Sequence, residues 1–206
     1  MDPKRSRQLE LISRVVVGAM LSVLVVRMIN ANLAGGWRWA HGLLLVAEVL
    51  TVGLVIFARM PKEVVRRPYE IFITVAATFY FSAIDLTGGR PLVPEVVSVA
   101  IMCSGILLQI YAKLHLGRSF GLLPAHRGIV STGPYRLVRH PIYLGYLLGH
   151  VGFVSAEFSL RNVLVFTALY ALQFLRILAE ERVLLKDEEY AAYAKKTTKR
   201  FIPFVL

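Results

Sequence analysis

A single cysteine, Cys103, stands among 206 residues, and it lies inside an apolar run. No internal disulfide can form, and no second cysteine exists for a structural zinc site. The residue reads as a small apolar packing group rather than a catalytic thiol. Charge is also scarce: 18% of the residues are charged, against about a quarter in an ordinary soluble domain. Acidic charge is scarcest, with 13 Asp and Glu against 24 Lys and Arg. There are no internal repeats and no low-complexity stretches. The first apolar run, 11–29, is too long for the core of a cleaved signal, and no clear A-x-A site follows it. It reads as a retained membrane helix.

What the chain has instead is apolar length. Hydrophobic residues make up 56% of it, and the mean hydropathy is +0.60. Six apolar segments follow one another at about 11–29, 39–58, 69–86, 94–116, 142–157 and 161–178. The last two form a tight helical hairpin. Gly35-Gly36, Pro61 with Pro68, and Gly88-Gly89 with Pro91 and Pro94 mark the connectors, since both residue types interrupt helices for backbone reasons. These features predict an all-α integral membrane bundle, a single domain over 1–206. Within it, residues 1–93 supply the N-terminal transmembrane helices and 94–206 the core.

The net charge of +11 and pI near 10.1 do not indicate nucleic-acid binding, because the basic residues sit between apolar runs and no recognition motif accompanies them. Lys4, Arg5 and Arg7 precede the first segment. Arg59, Lys62, Arg66 and Arg67 fill the second connector, and Arg118, Arg127, Arg136 and Arg139 the fourth. The tail after the last segment adds Arg182, Lys186, Lys195, Lys196, Lys199 and Arg200, whereas the alternate connectors hold only Arg38, Arg90 and Arg161. Positive residues stay cytoplasmic, so both termini and the 117–140 connector are expected inside.

Polar and ionisable groups at membrane depth face a bundle interior or a cavity, and Glu48, Asp85, Gln109, Lys113, His115 and His150 are the candidates. Lys113 and His115 lie near a helix end and read as snorkelling groups. Glu48 is open between a functional and a packing role, and His150 between lining a cavity and a hydrogen-bonded interior place. Gly145, Gly149 and Gly152 form a small-residue face that lets two helices approach closely.

Two stretches carry chemistry. The first runs from Arg127 to Tyr143. Pro141 suits a first helical turn, and the dipole and amides of a helix start favour an anion, with Arg139 and His140 just before it. Gly128 and Gly133 let the backbone bend. An ordinary interfacial loop ahead of a proline-started helix has the same composition. The second stretch is Arg176 to Leu184. Arg176 and Glu180 share a helix face, either as an exposed ion pair or as the lining of a cavity under the 117–140 connector. Residues 187–203 then read as a short amphipathic helix returning along the membrane surface.

The ordered set G-I-V-S-T-G-P-Y at 128–135, R-H-P-I-Y at 139–143, E-E-x-x-L at 180–184, Y-x-x-Y at 190–193 and the ending R-F-I-P resembles the isoprenylcysteine carboxyl methyltransferase family and its phospholipid methyltransferase relatives. The likeness covers about residues 110–206. It implies a membrane enzyme that binds S-adenosylmethionine without a Rossmann domain, in a pocket at the cytoplasmic face. It further implies a hydrophobic, lipid-linked or prenylated acceptor that reaches the pocket from the membrane lipids. Carried over by position, Arg127, Gly128, Ile129, Val130, Tyr135, His140, Pro141, Ile142, Tyr143 and Glu180 match cofactor contacts, and Arg176 a substrate-side contact, making Arg176 and Glu180 the candidate catalytic pair. The chain carries Arg127 where the family often has histidine. Competing readings are an NADPH-dependent membrane reductase of the sterol-reductase type and a non-catalytic lipid-binding membrane protein.

Overall fold

A computed structural model describes residues 3–36, 38–57, 63–64, 69, 73, 76–77, 80–117, 125–126 and 129–202. Its helices are α1 (Pro3–Gly35), α2 (Trp39–Phe57), α3 (Glu95–Leu116), α4 (Pro141–Ala156), α5 (Leu160–Leu184) and α6 (Glu188–Lys196). Residues 69, 73, 76 and 77 are also helical, ahead of a 3-10 turn at Tyr80–Ser82. The boundaries follow local chemistry. Pro94 precedes α3, whose first turn carries Glu95 and whose last carries Lys113 and His115, matching the helix dipole. Pro141 opens α4 at N1. The Ser159 hydroxyl caps α5 by accepting from the Asn162 amide, and the Asp187 carboxylate caps α6 by accepting from Glu189 and Tyr190.

α3 and α5 are long and apolar enough to cross a membrane. At 22 and 25 residues they reach about 33 and 37 Å, against a hydrocarbon core of about 30 Å. Shorter apolar helical stretches are Ser22–Gly35, Trp39–Leu50 and Pro141–Ala156. Large apolar side chains stand exposed along the outside, among them Val96, Leu107, Leu114, Leu160 and Leu164. Water does not tolerate so much bare apolar surface, and lipid does. The protein is an all-helical membrane protein with two very short strand pairings. Of the six expected crossings, these two satisfy both length and apolarity among the described residues.

Several expectations change. The third segment does not remain helical to 86. The chain leaves helix at the Tyr80–Ser82 turn, and Asp85 lies in a loop, where its Oδ1 accepts from the Thr87 and Gly88 amides at 3.0 and 2.8 Å. Those amides hold the Asp85 carboxyl below its ordinary range. The hairpin exists as a connection, because only residues 157–159 separate α4 from α5. The close approach, however, is between α4 and α3. A Cβ at Gly105 would sit 2.5 Å from the Gly149 nitrogen and 2.6 Å from the Gly145 carbonyl oxygen, so the small-residue face of α4 is spent on α3.

Lys113 does not snorkel. It is buried, donates to Gln109 Oε1 at 3.2 Å and lies 5.2 Å from the Tyr146 ring centroid. The Tyr146 ring offers the ammonium a π-face. His150 is a hydrogen-bonded interior histidine that also lines a small cavity with Glu48 and Gln109. Its Nδ1 and the Tyr170 hydroxyl are 2.8 Å apart, its Nε2 and the Tyr80 hydroxyl 3.1 Å, and Tyr80 donates to Glu48 at 2.9 Å.

Two pairings tie connectors together at opposite ends of the bundle. Glu63–Val64 pairs antiparallel with Ala125–His126, joining the second and fourth connectors. Arg90 and Phe158 exchange backbone hydrogen bonds at 3.0 and 2.9 Å, joining the loop before α3 to the α4–α5 link.

Candidate active site

The end of the bundle holding the 129–140 loop is built from four pieces: that loop, the first turn of α4, the last turns of α5, and α6 with the tail beyond it. The loop is set by Gly133, whose φ of +59° is one that L side chains avoid; a Cβ there would also meet the His115 ring at 2.4 Å. The 3-10 turn it starts, Gly133–Arg136, points Tyr135 inward to 5% exposure. The Tyr193 hydroxyl donates to the Tyr135 carbonyl at 2.6 Å, so α6 fastens the loop from the other side.

Adjacent glutamates on α5 divide the work. Successive helical residues point about 100° apart, and Glu180 and Glu181 therefore face different partners. Glu181 is buried, with both carboxylate oxygens taken. Its Oε1 lies 2.8 Å from Arg139 Nε and 3.3 Å from His140 Nε2, and its Oε2 accepts from Arg200 Nε at 2.8 Å. The tail reinforces this hub through its backbone: the Arg139 amide donates to the Lys199 carbonyl at 2.9 Å and the His140 amide to the Arg200 carbonyl at 2.7 Å. Glu181 and Arg200 thus fix the loop, although neither was among the expected site residues; the sequence signals for them were the paired acid in E-E-x-x-L and the arginine that starts R-F-I-P.

Glu180 instead faces aromatic rings. It acts electrostatically on Tyr143, Tyr135 and Tyr190. Ile129, Val130, Tyr135 and Ile142 pack in one cluster with Tyr190, Tyr193 and Ala194. Tyr143 belongs to the adjoining cluster with Ile177 and Phe201, and Tyr146 touches both. Arg176 donates to Gln173 Oε1 at 3.4 Å and lies 5.9 Å from the Tyr143 ring centroid. His140 meets Tyr143 edge-on at 5.8 Å, and Pro141 is buried at the mouth of α4. Arg127 and Gly128 lie outside the described residues.

The start of α4 is open between an anion site and an ordinary proline-started helix, and the hydrogen bonds favour the second. The Tyr143 and Leu144 amides already donate to the His140 carbonyl at 3.2 and 3.4 Å, and the tail takes the two amides before the helix. Donors of another kind are available. The Tyr135 and Tyr190 hydroxyls are buried with no hydrogen-bond partner among the described residues. A buried polar group without a partner is costly. Burial pushes both phenols well above their ordinary range, helped by Glu180 at Tyr135 and by Glu181 and Glu180 at Tyr190. Burial likewise raises Tyr193, to about 12. All three keep their protons at neutral pH and can donate. The site therefore combines a carboxylate among π-faces with two unspent hydroxyl donors. That donor set fits a small molecule carrying a cation and several oxygen acceptors. Among the described residues, no three His, Cys, Asp or Glu side chains gather as a metal group.

Comparison with known proteins follows this geometry. Residues 98–186 match the profile of the isoprenylcysteine carboxyl methyltransferase family, a stretch from α3 through the end of α5 that contains the loop and both glutamates. A stretch of 71 residues is 35% identical to the cobalt-zinc-cadmium resistance protein CzcN of Cupriavidus metallidurans, covering 34% of this chain and 33% of that protein. The match thus spans about a third of that relative's length.

Proposed function

We infer that the protein, a member of the isoprenylcysteine carboxyl methyltransferase family through residues 98–186, transfers a methyl group from S-adenosylmethionine to a hydrophobic or lipid-linked acceptor at the cytoplasmic face of its membrane. The observation that carries this reading is the gathering of Ile129, Val130, Tyr135, Ile142, Tyr143 and Glu180 about two buried hydroxyls without partners. The cofactor supplies a methyl group already activated on a sulfonium.

The residues here divide the remaining tasks. Tyr135 and Tyr190 donate hydrogen bonds to the cofactor's oxygen atoms. Glu180, with the rings of Tyr143 and Tyr146, stabilises its positive charge. Ile129, Val130 and Ile142 exclude water. Arg176, held beside Tyr143, orients an anionic group on the acceptor; its planar guanidinium matches a carboxylate or phosphate. A carboxylate acceptor needs no base, because it attacks as the anion.

The cytoplasmic placement rests on the basic connectors. The pairing of Glu63–Val64 with Ala125–His126 supports it by bringing two of those connectors to one end. The test is calorimetric titration of the purified protein with S-adenosylmethionine and, separately, with NADPH. Saturable binding of the first alone is expected. Binding of NADPH alone would replace this reading with a reductase, and binding of neither would leave a lipid-binding protein without catalysis.

A further inference from the structure

We propose that Gln173 is a positioning residue for the methyl acceptor: its side-chain amide holds the Arg176 guanidinium at the level where a lipid-borne anion arrives. The inference rests on the reading of Arg176 as the group that orients the acceptor's anion. It adds a residue which that reading leaves unused.

Gln173 stands out first by its setting. Residues 163–175 of α5 are otherwise apolar or carry a hydroxyl, and Gln173 is the one amide among them. Its side chain is buried, at 8% exposure. A buried amide at membrane depth is costly unless it is hydrogen-bonded, and such groups mark functional places. Its Oε1 accepts from an Arg176 terminal nitrogen at 3.4 Å. Gln173, Arg176 and Glu180 follow one another at i, i+3 and i+7, so they share one face of α5.

The direction of the bond matters more than its strength, since 3.4 Å is long for such a contact. A helical side chain leans toward the helix N-terminus, which on α5 is toward the bilayer interior. The charge of an arginine near a helix end pulls the other way, and the side chain ordinarily snorkels to water. Gln173 lies ~4.5 Å deeper along the axis than Arg176, and its oxygen holds the guanidinium on the interior side. The Tyr143 ring, 5.9 Å from the guanidinium carbon, holds it from α4. Below Gln173 on the same helix, Tyr170 is fixed by His150 at 2.8 Å. An amide suits this task better than a carboxylate. It directs the guanidinium without adding a counter-charge, and an anionic acceptor still meets a cation.

The test loads the protein with S-adenosylmethionine and offers it S-farnesyl mercaptopropionate, a prenylated carboxylate, or the corresponding neutral carboxamide. Calorimetry reads the binding of each amphiphile, and labelled S-adenosylmethionine reads methyl transfer to the carboxylate. Wild-type protein is expected to prefer the carboxylate by about tenfold, the scale of a charged hydrogen bond. Gln173→Met keeps the volume and removes the anchor. It should lower turnover by about tenfold, a smaller displacement than the ~1 Å that costs roughly 100-fold. Gln173→Glu keeps the accepting oxygen and adds a charge. It should abolish the preference for the carboxylate by raising its KM, with kcat changed less. Affinity for S-adenosylmethionine should stay level in both variants. No carboxylate preference in the wild-type protein overturns the proposal, as does a Gln173→Met variant that keeps both preference and turnover. Equal losses for carboxylate and carboxamide overturn it too, since they mark a packing role. Wild-type protein that prefers the carboxylate but transfers no methyl group would count against the proposed reaction, and the binding arm would still decide the role of Gln173.

Discussion

Glu181→Gln removes one charge and almost no volume, and its cost can be worked from the contacts. The carboxylate side chain is 4% exposed and holds Arg139, 9% exposed, at 2.8 Å; His140 is 6% exposed at 3.3 Å. Arg200 is 41% exposed, and water screens most of what it contributes. The loss is therefore that of one buried guanidinium left without its counter-ion. Removing one partner of a buried pair costs about 3–5 kcal/mol, and since Gln keeps an acceptor oxygen the lower end, about 3 kcal/mol, applies. For a chain of this size about 2–4 °C accompanies each kcal/mol, so the midpoint of thermal unfolding should fall by roughly 6–12 °C. The assay is thermal unfolding in one fixed detergent without cofactor, beside Glu180→Gln. Glu180→Gln should stay within about 2 °C of wild type, since a half-buried group away from the hub costs little. A Glu181→Gln midpoint within about 2 °C of wild type, or equal falls in both variants, would refute the division of labour between the two glutamates.

Tyr135→Phe and Tyr190→Phe each delete a buried hydroxyl without a partner. Unliganded stability should stay level or rise, while S-adenosylmethionine affinity falls by about 1 kcal/mol per hydroxyl; calorimetry and unfolding read the two effects separately. Glu180→Gln should weaken cofactor binding. Arg176→Ala should leave that affinity nearly intact but slow methyl transfer by roughly 100-fold, the cost of about 1 Å of misplacement; binding and single-turnover rates check both. Gly105→Val must displace backbone atoms of α4 that lie 2.5–2.6 Å from its Cβ, at more than about 3 kcal/mol, whereas Gly18→Ala meets nothing within 4 Å and should be silent in the same melts. Reporter fusions at Arg90 and after Leu206 should report opposite sides of the membrane. A C-terminus found outside would move the candidate site off the cytoplasmic face.

The apolar runs and their Pro and Gly punctuation were readable because helix geometry is local. α3 and α4 begin within a residue of the expected 94 and 142, each placed by a proline. α5 runs on to Leu184 rather than 178, because Arg176, Glu180 and Glu181 are polar for site contacts and not because the helix ends. The third segment misled for the converse reason: its apolar residues continue past Tyr80, but Ile84 and Leu86 are buried from a loop. Ile129, Val130, Tyr135, Ile142 and Glu180 do gather, which motif order alone indicated. That Lys113 is buried against Tyr146, that Glu181 and Arg200 hold the hub, and that α4 spends its glycines on α3 depend on contacts between segments far apart in sequence. Residue spacing does not encode such contacts.

The tail closure has a consequence for the order of events during synthesis. Lys199 and Arg200 supply the carbonyls that hold the Arg139 and His140 amides, and Arg200 supplies a side chain to Glu181. All of them are translated after every membrane helix. α3, α4 and α5 can therefore be inserted and packed, glycine face included, while the pocket is still a gap between a loose loop and an unfinished tail. The hub around Glu181 is complete only once residue 200 has been made. A nascent chain stalled after α5 is consequently a finished membrane anchor without a finished site.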